Sequence, residues 1–124
     1  MSEQPGTALM VRGTLHGWYA VVYVSGEFCH DARLGARLRD AMAELPMPDP
    51  PHLILDLAGV IAWDNWAVGA VISSAKRVMA SGGALIVAAA PADLLAYCQR
   101  IRLDRAIRFR ETVEVAAEEL RSGE

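Results

Sequence analysis

A chain of 124 residues, 53% of them hydrophobic, has enough apolar material for one packed core without disulfide or metal staples. Its net charge of -3 at pH 7 lacks the basic surface that neutralises phosphates, which excludes nucleic acid as an expected partner. No run approaches the roughly 20 apolar residues of a membrane helix, and Met1 to Thr7 has neither the basic nor the apolar part of a secretion signal, so the cytoplasm is the expected location, with no direct membrane insertion.

In chain order, residues 1–7 read as a flexible leader, 8–121 as a single domain and 122–124 as a flexible tail. Ala8 to Val11 is a short strand, Gly13 to Gly17 a hairpin turn, and Trp18 to Val24 a second strand that is apolar on both faces and so belongs inside a sheet. Ser25-Gly26-Glu27-Phe28 reads as a turn. Asp31 then caps a helix whose stripe is Leu34, Leu38, Ala41, Met42 and Leu45, ending before Pro46. The prolines from Pro46 to Pro51 set a stiff connector into a buried strand, Leu53 to Leu57, interrupted near its end by Asp56.

A glycine-containing turn leads from that strand to Trp63-Asp64-Asn65-Trp66, where Asp64 and Asn65 both suit a helix cap. Val71, Ile72, Ala75, Val78 and Met79 recur at helical spacing beyond it, with Ser74, Lys76 and Arg77 on other faces. Gly69 inside this helix costs about 1 kcal/mol relative to Ala, which close approach to another element would justify. Ser81-Gly82-Gly83 stops the helix, Ala84 to Val87 is another buried strand, and Pro91 opens a helix with Leu94, Leu95, Cys98 and Ile101 on one face. Leu103 to Ala106 connects to a last strand at Ile107 to Phe109. Thr112 caps a final helix through Leu120, with Val113, Val115, Ala116 and Leu120 for packing. The sum is one α/β domain, a mixed sheet of about five strands with about four packed helices, burying Leu55, Leu57, Val71, Ile72, Val87 and Leu95.

Catalytic chemistry is poorly provided for. Cys29-His30-Asp31 holds a nucleophile, a base and an acid, yet sequence neighbours do not face one another as a triad must. His16 and His52 stand alone, as solvated turn histidines, and Cys29 and Cys98 lack the paired spacing of a zinc site. No nucleotide-binding glycine motif or nucleophile elbow is present. The expectation is no enzyme, no catalytic residue, no metal and no cofactor.

The junction itself resembles the core motif of STAS domains, the anti-sigma-factor antagonists and their relatives. There the strand ends in Asp-Leu and the helix opens with Asp-Ser-Ser-Gly-Leu-Gly; here Asp56-Leu57 and Asp64-Asn65-Trp66-Ala67-Val68-Gly69 stand at the matching places. Gly26-Glu27 resembles the family's Gly-Glu-Leu-Asp, with Cys29 for the aspartate, and Leu103-Asp104-Arg105 its Gly-Leu-Asp-Arg, with Arg102 for the glycine. The resemblance spans about Ala8 to Leu120. It implies a bacterial regulatory domain that acts by protein-protein interaction, binding a serine-kinase-type anti-sigma factor through Trp63, Asp64, Asn65, Trp66 and Glu27.

The family's second serine accepts a phosphoryl group from the partner kinase, and Trp66 stands in its place, so no phosphorylation site is expected there. Trp66 is open to two readings, core residue or interface anchor. Two further functions follow from the resemblance or the indole pair: a soluble subunit or accessory protein of a membrane transporter, and a small-ligand sensor with Trp63 and Trp66 lining its pocket. The first strand's free edge and an exposed indole would each permit a homodimer.

Overall fold

Leu53, Ile54, Leu55 and Leu57 are completely buried at the centre of the computed structural model, which describes residues 8–122. The expected leader over 1–7 and residues 123–124 of the expected tail lie outside the described residues. The elements run β1 (Met10–His16), β2 (Tyr19–Phe28), α1 (Leu34–Ala43), β3 (His52–Trp63), α2 (Asn65–Ala80), β4 (Ala84–Ala88), α3 (Ala92–Arg100), β5 (Arg108–Arg110) and α4 (Val113–Arg121), with a 3-10 turn at Leu103–Arg105. The sheet order is the chain order, β1-β2-β3-β4-β5. β1 pairs antiparallel with β2 and every later pair is parallel, so the sheet is mixed as expected.

Parallel strands joined by helices take right-handed crossovers, and crossovers that always step in the same direction deliver their helices to one face. Leu34, Leu38 and Met42 of α1, Ala67, Val71, Ala75 and Val78 of α2, and Leu94 and Cys98 of α3 accordingly share one core with Val22, Leu53, Leu55 and Val87. α4 has no following strand to return to and covers the other face, where Ala116, Ala117 and Leu120 meet Val21, Ile54 and Ile86. The alternation Ile54 on one face, Leu53 and Leu55 on the other, explains why both β2 and β3 read as continuously apolar.

Several local expectations need correction. β1 begins later and runs through Gly13; the hairpin turn is only Gly17-Trp18, with Gly17 at φ +76, the geometry that matches the twist of two antiparallel strands. Ser25 to Phe28 and Ala58 to Trp63 are strand rather than turn, because the two segments pair with each other from Ser25↔Gly59 to Phe28↔Trp63. Their glycines accommodate register shifts: a Cβ on Gly59 would lie 2.6 Å from Cβ of Ser25. Ile72 and Leu95 are only partly buried, while Met79, Ile101 and Val115 are exposed and Ser74 is buried, since each helix packs a narrower stripe than its apolar count suggests. Gly69 meets nothing where its Cβ would be, so no close packing justifies it. His16 stacks on Tyr19 at 5.1 Å and His52 meets Trp18 edge-on at 5.8 Å, so neither is a free turn histidine.

The ends of α2 and the start of α4 follow their sequence signals. α2 closes in a Schellman motif, Gly82 N–H donating to Met79 C=O and Gly83 N–H to Val78 C=O, with Gly82 at φ +81. Thr112 Oγ1 accepts from Val115 N–H at 3.0 Å and caps α4. Asp31, expected to cap α1, does not do so: the N-cap is Arg33, without a side-chain cap bond, and Asp31 instead turns the chain before the helix, accepting from Arg33 N–H at 2.8 Å while its backbone carbonyl accepts from Leu34 N–H.

Candidate functional site

The carboxyl ends of β2 and β3 lie together beside the start of α2, the end of a parallel sheet where α/β proteins place their sites. Asp64 is the N-cap of α2. Its Oδ1 accepts from Trp66 N–H at 3.0 Å and Ala67 N–H at 3.3 Å, which satisfies two of the helix's free donors. The other oxygen, Oδ2, accepts from His30 N–H at 2.8 Å, and His30 Nδ1 lies 3.8 Å away. One carboxylate thus joins the chain after β2 to the helix after β3. His30 sits at φ +59, in the left-handed region, and its ring is 86% exposed. In the sequence His30 stands out only within the Cys29-His30-Asp31 run, and its backbone contribution has no sequence signal.

Asn65 Oδ1 accepts from Tyr97 O–H at 3.2 Å, and Trp63 packs against the Tyr97 ring at 5.6 Å, so α3 braces the junction through a single aromatic residue. Tyr97 was absent from the expected site. Its signal was its place one residue before Cys98 on the packed stripe of α3. Trp63 is therefore held against α3, half-buried, whereas Trp66 points outward and is 53% exposed. The groove that Trp63 lines with Val60, Ile61, Ala62, Pro91 and Asp93 does not include Trp66.

Glu27 lies on β2 opposite Ala62, exposed, rather than in a turn. The Cys29 thiol is pushed up by burial and by the carboxylates of Asp64 and Glu27, so it is held as a thiol rather than a nucleophilic thiolate. Among the described residues no group of three or more His, Cys, Asp or Glu is arranged to hold a metal ion. The Cys29-His30-Asp31 run forms no relay: Asp31 turns to Arg33 and Arg37, which hold its carboxyl below the usual range, chiefly through the Arg33 N–H.

The sequence pattern of the STAS domain matches residues 11–116. This chain belongs to the STAS domain family. Its fold is similar to an anti-sigma factor antagonist from Mycobacterium paratuberculosis, with 18% identity, a TM-score of 0.72, and coverage of 93% of this chain and 96% of that one. A Thermotoga maritima protein assigned as an anti-sigma factor antagonist has 22% identity and a TM-score of 0.66 over 82% of this chain and 87% of that one. An anti-sigma-factor antagonist domain protein from Planctomyces limnophilus has 15% identity and a TM-score of 0.65, over 86% and 93% respectively. No curated protein matches by sequence.

Within the STAS domain, Arg102 stands before the Leu103-Asp104-Arg105 turn at φ +64. A glycine would hold that left-handed conformation without strain, which is the physical sense of the substitution noted in the sequence. No helix among the described residues is long and apolar enough to cross a membrane.

Proposed function

We propose that this STAS domain, with residues 8–121 as its folding unit, is a cytoplasmic protein-interaction regulator of the anti-sigma-factor-antagonist kind. Its partner is an anti-sigma factor of the serine-kinase type. The observation that carries the reading is Trp66: an indole 53% exposed in the first turn of α2, on a helix start that Asp64 and Asn65 hold rigidly. Large aromatic side chains fixed on a rigid element are the residues that dominate binding energy in protein interfaces, because they bury much area at little entropic cost.

Trp63, Asp64, Asn65, Trp66 and Glu27 form the contact surface in this reading, with Asp64 and Asn65 shaping it and Trp66 as the anchor. With an indole where the family carries its acceptor serine, the interaction is not switched by phosphate at this position. Control then passes to the partner or to the amount of protein made. Titration of the purified domain with a kinase-type anti-sigma factor from the same cell tests the proposal. Binding that falls at least about tenfold in Trp66→Ala supports it, and unchanged affinity in that variant refutes it.

A further inference from the structure

β3 is longer than its neighbour. β4 pairs with it only from His52↔Ala84 to Asp56↔Ala88, while β2 follows it to Trp63. Residues 57–63 therefore have a strand partner on one side only, and no backbone hydrogen bond joins them to α3 or to the loop before it among the described residues. Ala58 N–H is taken by the Asp56 carboxylate at 2.9 Å. The rest of that edge faces a groove of about 280 Å³ whose walls are Val60, Ile61, Ala62 and Trp63 on one side, and Pro91 and Asp93 on the other. Ile61 is 63% exposed at its rim.

We infer that this free edge of β3 is a β-augmentation site, which takes an extended segment of the partner polypeptide as an additional strand. Unpaired strand N–H and C=O groups, here on either side of the irregular pairings at residues 57–58 and at Ile61, are satisfied by another extended backbone, and side chains of the guest then supply selectivity. The charge is one-sided. Asp93 is the only ionisable residue among the groove walls, and Glu27 and Asp64 lie at the same end of the sheet. The segment that fits carries apolar side chains for Ile61, the extra residue between the Gly26↔Val60 and Glu27↔Ala62 pairs, and for Trp63, with Lys or Arg toward Asp93. β1, the outer edge of the sheet, carries Arg12 and no carboxylate, so the same basic segment is disfavoured there. The inference rests on the interaction reading above and specifies the form of the partner's contact.

The test is amide hydrogen exchange of the full chain with an acetylated, amidated peptide alternating Val with Lys and Arg, compared with its Val, Asp and Glu counterpart. At ten times its Kd the basic peptide should slow exchange of amides within residues 57–63 by about tenfold and leave β1 unchanged. Ile61→Lys, a substitution at an exposed side chain, should keep the circular dichroism spectrum and abolish the effect. Protection confined to β1, protection by the acidic peptide alone, or none at millimolar peptide overturns the inference. Should the anti-sigma factor still bind through Trp66 while Ile61→Lys leaves that binding intact, the edge site falls and the proposed function stands; should no anti-sigma factor bind, the function falls by itself.

Discussion

Asp64 Oδ2 accepts the His30 backbone N–H at 2.8 Å across 34 positions of sequence, while the same carboxylate caps α2 through its other oxygen. Removing it therefore costs more than a cap. Asp64→Ala should lower stability by about 1–2 kcal/mol, the loss of a helix cap together with an unsatisfied His30 N–H. Asp64→Asn, which keeps an acceptor, should recover part of that. Chemical denaturation with an unchanged slope is the measurement; a midpoint unmoved in Asp64→Ala would show that solvent replaces both contacts.

Incubated with ATP and a kinase that phosphorylates ordinary STAS antagonists, the chain should gain no phosphate at residues 63–66, because neither an indole nor an amide offers a nucleophilic hydroxyl. Trp66→Ser should restore an acceptor in the first turn of α2 and shift thermal stability little, within about 0.5 kcal/mol, since the side chain it replaces is largely in solvent. Intact-protein mass spectrometry before and after the reaction reads the first expectation, and a thermal melt reads the second.

Glu119 ties α4 to β5, accepting from Arg108 at 2.6 Å and from Arg110 through both of its oxygens. Its carboxyl is held below the ordinary value of 4.5, first by the Arg110 hydrogen bonds and then, against a smaller effect of burial, by Arg108. A depressed folded-state pKa adds stability that is fully present above 4.5 and is lost as pH falls through the lower folded value. Glu119→Gln should cost about 1–2 kcal/mol at neutral pH, with the two stability curves converging in acid. Parallel curves down to pH 2 would place the contribution elsewhere.

Two glycines should respond in opposite directions. A Cβ on Gly83 would lie 1.6 Å from the Pro51 carbonyl oxygen, so Gly83→Ala must displace backbone where β3 begins and should cost well over about 2 kcal/mol. Gly69→Ala meets nothing and should gain up to about 1 kcal/mol from helix propensity alone. Urea midpoints of the pair separate steric from conformational demands, and a destabilising Gly69→Ala would contradict the open surface around it.

What the sequence displayed was whatever depends on local chemistry. Asp64, Thr112, Gly82 and the alternating apolar runs each act within a few residues, and the caps, the α2 stop and the mixed five-stranded sheet follow from them. Glycine misled where its role was tertiary. Gly26 and Gly59 look like turn formers in isolation, but they sit at the irregular pairing of β2 with β3, a partnership invisible until both strands are in place. The site divided the same way: Asp64 was legible as a cap, whereas its bond to His30 and the Tyr97 brace depend on loops and helices converging from far along the chain. Trp66 could be placed inside or outside only once the packed face of α2 was known.

Because every strand of the sheet lies beside the one made just before it, the chain never has to open a finished pair to admit a later strand. During synthesis, each emerging unit of helix and strand can dock on an edge that already exists, so the order of assembly can follow the order of translation. The hairpin of β1 and β2 supplies the template for the later strands, and β5, only three residues long, closes the growing margin with little backbone left to offer a stray chain.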